Sequence, residues 1–268
     1  MKLAAPFAAL SLAAFPSLVW ADPPTGAALV AAHPWEAAQA LVKVTEADID
    51  KDGIVGVKSH VPDLEAVLSS AKSSPESANE DKGTVYVLTD GDAETLMALA
   101  AATAKNSPVA GRKVVAVQNP YPIAGLYLGS YYDEIGRPED AIRVIDEGMN
   151  SAPITGVDLG EHEPVLIAER GAALTALKRW PEALADYERG LAISNLPPRA
   201  EAILLRGRGF ALTELGRLDE AEKSYRDSLT YEPGNARAHS ELEYIARLRA
   251  GGSREATGID IPSAAKPK

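Results

Sequence analysis

The sequence of 268 residues contains no cysteine and only four histidines. Without cysteine there is no disulfide, no thiol nucleophile and no Cys-ligated metal. The histidines at positions 33, 60, 162 and 239 lie in no metal-ligand or triad-like setting, and no Gly-x-Ser-x-Gly elbow is present. We therefore predict that the chain is not an enzyme.

The chain also lacks an excess of basic residues, since its net charge is −11. This charge argues against nucleic acid or an anionic membrane surface as the main partner. Aromatic residues make up only 6% and alanine is abundant, which favours closely packed helices. Beyond the N-terminal segment no apolar run reaches the length of a membrane span, so we expect none in the mature chain.

The first 21 residues have the pattern of a signal peptide. Lys2 supplies the positive charge, Leu3 to Val19 are mostly apolar or small, and Val19-Trp20-Ala21 fits a small-x-small cleavage site. We expect export, most simply to a bacterial periplasm or to the outside of the cell. Residues 22–33 form a Pro/Ala/Gly linker before the first predicted domain.

Residues 34–120 are predicted to form a small α/β domain. An amphipathic helix begins at Pro34 and is followed by strands and helices in alternation, in a β-α-β-α-β order. The predicted strands are Ile54–Val57, Thr84–Leu88 and Lys113–Val117, and the predicted helices between them begin at Pro62 and Asp92. Strand-helix-strand spacing of this kind indicates parallel pairing.

A cluster of carboxylates follows the first predicted helix. Asp48, Asp50 and Asp52 precede Gly53, as in the first half of an EF-hand loop. The twelfth position, where a bidentate Glu is needed, is Ser59. Two interpretations stay open: a solvated Asp/Gly turn that joins a helix to a strand, or a Ca²⁺ site that uses the three aspartates.

The second half of the chain repeats one pattern three times. Gly136 to Ala141 returns as Lys178 to Ala183 and again as Gly216 to Ala221. With the three alanines in register, a glycine lies twelve residues upstream, a large residue nine upstream, a large residue four downstream and a small one seven downstream. Small residues recur where helices approach closely, and large ones fill the space beside them.

This pattern resembles the tetratricopeptide repeat family. The copies begin at Pro122, Pro164 and Ala202, so their offsets of 42 and 38 residues depart from a strict 34-residue array. Arg170 and Arg208 stand where the family usually has Leu, and we expect them to reach a neighbouring carboxylate. The resemblance implies a mainly α fold, with an α-solenoid of helical hairpins and a capping helix over 121–250. The α/β unit precedes this domain, and the polar composition of residues 251–268 predicts a disordered tail.

The resemblance also implies a concave groove lined by the first helix of each hairpin. The family geometry places these candidate partner-binding residues there: Leu126, Tyr127, Ser130, Asp133, Glu169, Arg206, Phe210 and Thr213. The paired Lys and Asn of chaperone-tail binders are absent from the groove positions. We therefore expect an exported scaffold that binds a protein or peptide, with a Ca²⁺-binding exported protein as the alternative.

Overall fold

Helices dominate the part of the chain that the computed structural model describes, residues 34–71, 80–81, 84–89, 104, 111–151, 159–160 and 162–252. The predicted signal peptide, most of the predicted helix from Asp92 and residues 253–268 of the predicted tail lie outside these residues. The helices are α1 (Pro34–Asp52), a 3₁₀ helix (Ile54–His60), α2 (Val61–Ala71), α3 (Pro120–Glu134), α4 (Pro138–Met149), α5 (His162–Ala176), α6 (Trp180–Leu191), α7 (Pro198–Glu214), α8 (Leu218–Tyr231) and α9 (Ala236–Arg249). The strands are β1 (Glu80–Asp81), β2 (Thr84–Thr89) and β3 (Lys113–Gln118).

The three predicted hairpins are confirmed as α3–α4, α5–α6 and α7–α8, and their turns share one geometry. The second residue after each first helix has a positive φ of 73° at Gly136, 58° at Lys178 and 76° at Gly216. The next N–H then reaches back to the helix, as in a Schellman motif. These bonds run from Arg137 to Tyr132 (2.8 Å), from Arg179 to Leu174 (2.9 Å) and from Arg217 to Leu212 (2.9 Å).

The arginine of each turn also fixes the start of the second helix. Its guanidinium binds the acidic residue three positions on, and carboxylates in a first turn are favoured by the helix dipole. The pairs are Arg137–Asp140, Arg179–Glu182 and Arg217–Glu220. The alanine that follows is fully buried in all three copies. The six-residue pattern that recurs three times therefore encodes the turn between the two helices and the buried alanine that follows it.

Glycines bring the helices close around the tyrosine of the second hairpin. The Tyr187 ring is 4% exposed. It lies so near α5 and α7 that a Cβ added at Gly171 would stand 2.7 Å from its Cε1, and one added at Gly207 only 2.3 Å. Small residues on α5 and α7 thus make room for one large residue on α6. The register predicted the small residue at Gly171 but not the one at Gly207, which the family geometry places in the groove.

The two arginines in place of leucine reach carboxylates as predicted. Arg170 contacts Asp146 of α4 at 2.7 Å and Asp186 of α6 at 2.6 Å. Arg208 donates to Ser224 of α8 at 2.6 Å and lies 3.4 Å from Glu188 of α6. Each arginine therefore joins its own hairpin to the preceding one, which explains how the stack accepts a charge at this position.

The predicted strand Ile54–Val57 is wrong, because these residues begin the 3₁₀ helix. Val57 is fully buried in a helical core with Leu64 and Leu68. A run of four apolar residues does not distinguish a strand from a buried helical turn. The third strand is instead Glu80–Asp81, which pairs antiparallel with β2, whereas β2 and β3 pair in parallel as predicted.

Both ends of the stack are covered. Val57, Leu64 and Leu68, from the 3₁₀ helix and α2, pack with Tyr121 and Leu128 of α3 in one core. At the other end, Ala238 and Ile245 place α9 in the core of the second and third hairpins, as the predicted cap requires.

None of the helices within the described residues is long and apolar enough for a membrane span.

Candidate partner-binding groove

The first helices of the hairpins meet at a polar contact. α5 packs beside both α3 and α7. The Ser130 hydroxyl of α3 donates to Oε2 of Glu169 on α5 at 3.1 Å. The structure therefore brings these two predicted groove residues together, although 39 residues separate them in the chain.

Asp133, one turn beyond Ser130, adds a second carboxylate to this contact. Burial, then the nearby charges of Glu169 and Glu134, raise the pKa of Asp133 to about 6. Burial also raises the pKa of Glu169, while the hydrogen bond from Ser130 acts in the opposite direction. Both carboxyl groups are thus held where their charged forms are disfavoured. We call Asp133 and Glu169 the acid pair.

Tyr187 lies close enough to the acid pair to respond to it. Its pKa rises to about 12, chiefly through burial and further through the charges of Glu169 and Asp133, while Thr175 and Arg237 act in the opposite direction. In the sequence, Tyr187 is recognisable only as a packing residue. Its position four residues after the repeat alanine predicts that it is buried, but does not predict the neighbouring carboxylates.

Leu126 and Tyr127, at the other end of the same face of α3, line a cleft of about 220 Å³. Val42, Lys43 and Glu46 of α1 form its opposite wall. Tyr127 is partly buried, and its pKa rises to about 12 through burial and through the charges of Glu46 and Asp50. The sequence did not reveal that α1 belongs to this surface, because α1 is outside the repeats.

The groove residues of the third hairpin are placed differently from the family geometry. Phe210 is 7% exposed and packs edge-on against Trp180, with ring centroids 5.9 Å apart. Thr213 is 2% exposed and its hydroxyl donates to the Gly209 carbonyl at 2.9 Å. The expectation that both residues lie on an open surface is corrected by this packing. Their role as partner contacts stays a prediction.

Arg206 is engaged within the chain. Its Nη1 lies 2.6 Å from Oε2 of Glu232, in the turn between α8 and α9. The same carboxylate oxygen accepts from Asn235 at 3.0 Å, and Asn235 caps the start of α9. The guanidinium therefore helps to hold the final helix. Binding of a partner by Arg206 stays a prediction.

The prediction of a loop at Asp48, Asp50 and Asp52 is wrong, because all three residues lie in the last turns of α1. A helix places alternate residues on different sides, so the three carboxylates do not converge as they do in an EF-hand loop. Oδ2 of Asp48 lies 2.8 Å from Nε2 of His60. Within the described residues, no group of three acidic or histidine side chains is arranged to hold a metal ion.

The hairpins match a known class of repeat. Residues 165–231, which include most of α5 and all of α6 to α8, match the sequence model of the tetratricopeptide repeat family. This match supports the resemblance found from the register of the copies.

Among individual proteins, the chain is similar to RNA polymerase II-associated protein 3 of Mus musculus. The identity is 31% over 140 residues, which make up 52% of this chain and 19% of the mouse protein. The chain therefore spans about a fifth of that relative's length.

Solved structures of helical-repeat domains are similar to part of the chain. The first TPR domain of human RPAP3 shares 28% identity, covers 49% of this chain and 94% of its own, and has a TM-score of 0.43. The first TPR of Spaghetti (RPAP3), bound to the HSP90 peptide SRMEEVD, shares 28% identity with coverage of 48% and 94% and a TM-score of 0.42. The MamA protein shares 17% identity with coverage of 78% and 84% and a TM-score of 0.41.

Proposed function

We propose that this chain is an exported scaffold protein that binds a protein or peptide in the concave groove of its helical repeats. The observation that carries the proposal is the acid pair on α3 and α5, beside the cleft between α1 and α3. The tetratricopeptide repeat match over residues 165–231 supports a binding role rather than a catalytic one.

The acid pair supports binding because it is unfavourable in the free protein. Two carboxylates with raised pKa values weaken a fold unless something offsets their mutual repulsion. The shift at Asp133 comes from burial and from two other carboxylates, Glu169 and Glu134. Groups that reduce stability in this way are concentrated at functional sites, where a partner supplies the missing interaction.

The HSP90 peptide bound to the similar Spaghetti domain is not the kind of ligand that we propose. SRMEEVD ends in acidic residues and a C-terminal carboxylate. Asp133 and Glu169 would repel such groups, and the groove positions of this chain lack the paired Lys and Asn of a carboxylate-binding site.

Export is the second part of the proposal, and the sequence of residues 1–21 supports it. Fractionation of expressing bacterial cells, followed by mass spectrometry of the purified chain, tests this part. We expect a periplasmic protein that begins at Asp22. A cytoplasmic protein that retains Lys2 would contradict export and leave groove binding untouched.

Site-specific photo-crosslinking tests groove binding. A photoreactive phenylalanine analogue is placed at Leu126, in the cleft, and in a control variant at Ala185, which is exposed on the second helix of its hairpin. We expect adducts with defined proteins from the first position and not from the second, when both variants are exposed to envelope extract. The same adducts from both positions, or none from Leu126, would contradict a groove site.

A further inference from the structure

One face of α3 carries part of a cleft and one member of the acid pair. The cleft lies at Leu126 and Tyr127, and the acid pair begins at Asp133. Leu126, Ser130 and Asp133 are four and then three residues apart, so they follow one stripe of the helix. Ser130 binds Glu169, which places the second carboxylate beside the same stripe.

The distance between the two elements follows from helix geometry. Leu126 and Asp133 are seven residues apart, and a helix rises 1.5 Å per residue, which gives about 10 Å. An extended segment advances about 3.3 Å per residue, so about three residues of a ligand cover this distance.

The cleft has room for one large apolar side chain. Its volume is about 220 Å³, and Val42, Ile123 and Leu126 supply apolar walls. Lys43 and Glu46 are also at its walls, so the charges there include both signs. Burial of a Leu or Phe side chain in such a cleft contributes a large part of the affinity of many interfaces.

The acid pair requires the opposite charge. Glu134 adds to the repulsion at Asp133. A Lys or Arg of a ligand would form charge-assisted hydrogen bonds with both carboxylates.

We infer that the partner presents an extended segment with a large apolar residue, which enters the cleft, and a Lys or Arg about three positions away, which binds Asp133 and Glu169. The inference rests on the proposed groove function and specifies the chemistry of its ligand. It also gives the groove a specificity opposite to that for acidic peptide tails, because like charges at the acid pair exclude them.

Selection from a phage library of random dodecapeptides on the immobilised chain tests the inference. We expect the enriched peptides to share a Leu, Ile, Met or Phe two to four positions from a Lys or Arg. A synthetic copy of the most enriched peptide is then titrated against variants. Asp133→Asn with Glu169→Gln should weaken its binding at least tenfold, and Leu126→Ser should weaken it to a similar degree.

A control variant removes the same two charges elsewhere. Asp63→Asn with Glu243→Gln changes two carboxylates that are exposed on α2 and α9. We expect this control to bind the peptide within about twofold of the unchanged chain. An equal loss in the control would show that net charge, rather than the acid pair, attracts the peptide.

Proton release gives an independent measurement. A bound cation lowers the pKa of Asp133 from about 6, so binding at pH 6 should release protons. Calorimetry in two buffers of different ionisation enthalpy detects this release. We expect the release to be lost in Asp133→Asn.

The outcomes distinguish a failure of the cationic-ligand inference from a failure of the proposed groove function. Enriched acidic or uncharged peptides whose binding depends on Leu126 would overturn the cationic ligand and leave groove binding in place. Enriched peptides that bind the Leu126→Ser and acid-pair variants unchanged, or a complete absence of enrichment, would overturn both.

Discussion

The contact between Tyr187 and Gly207 allows a stability prediction from measured distances. A Cβ added at Gly207 would stand 2.3 Å from Cε1 and 2.4 Å from Cζ of the ring, whereas ordinary contact begins near 3.4 Å. The ring must therefore move by about 1 Å. Gly171 on α5 is also close to the ring, with an added Cβ 2.7 Å from Cε1, so the space for this movement is small.

We expect Gly207→Ala to lower the free energy of unfolding by up to about 2 kcal/mol. Overpacking of a core costs about 1–3 kcal/mol. The greater helix propensity of Ala returns about 1 kcal/mol at a helical position. The overpacking is the larger of the two effects, because the aromatic ring is almost fully buried.

Urea unfolding, followed by circular dichroism, measures the change. Gly234→Ala is the control, because an added Cβ there has no atom within 4 Å and the φ of Gly234 is not positive. We expect this control to be neutral or slightly stabilising. A second comparison uses Tyr187→Leu, which removes the ring atoms involved. Gly207→Ala should cost less in that variant than in the unchanged chain.

A gain of about 1 kcal/mol in Gly207→Ala, the value that helix propensity alone gives, would contradict the predicted overpacking. Additive effects of Gly207→Ala and Tyr187→Leu would also contradict it, since residues in contact are expected to couple.

Three further predictions concern charged groups. Arg170→Ala should lower the free energy of unfolding in urea by about 2 kcal/mol, because buried Asp186 loses its 2.6 Å partner and keeps only Arg189, 3.6 Å away. Additional replacement of Asp186 by Ala should restore part of the loss. The pKa of Asp133 is raised to about 6 in the folded state, so its ionisation should weaken the fold as pH rises from about 4 to 6. Asp133→Asn should therefore gain stability over the unchanged chain across that range in urea titrations at fixed pH, and equal pH profiles would contradict this. Calorimetry with Ca²⁺ should detect no binding, because Asp48 and Asp50 lie on a helix, and heat that disappears in Asp50→Ala would refute this.

The repeat half of the fold was predictable because the residues that determine each hairpin turn are close together in the sequence and recur in three copies. A glycine or a tolerated substitute such as Lys178 marks each turn, an arginine follows it, and a fully buried alanine follows that. Because the three copies agree in register, together they predict the helical hairpin much more strongly than any single copy does.

The N-terminal region has no such repetition. Ile54–Val57 is apolar and short, and tertiary packing against Leu64 and Leu68 decided its conformation. Propensity alone does not settle a segment of this length.

The site was predictable only in part, because residues far apart in the chain determine it. The register placed Ser130, Asp133 and Glu169 on the first helices, but not their mutual contact or the shift in pKa. Burial of Phe210 against Trp180 depends on how two neighbouring hairpins are oriented. The wall that α1 gives to the cleft follows from no repeat position at all.

The covered ends of the helical stack have a consequence for stoichiometry. Repeat arrays with open ends lengthen when a hairpin of another chain continues the stack, and such head-to-tail contacts produce filaments. Here the 3₁₀ helix and α2 occupy one end, and α9 occupies the other with exposed polar residues such as Ser240 and Glu243. The described part of each chain therefore offers one groove of fixed length, and the number of partners bound rises in proportion to the number of chains.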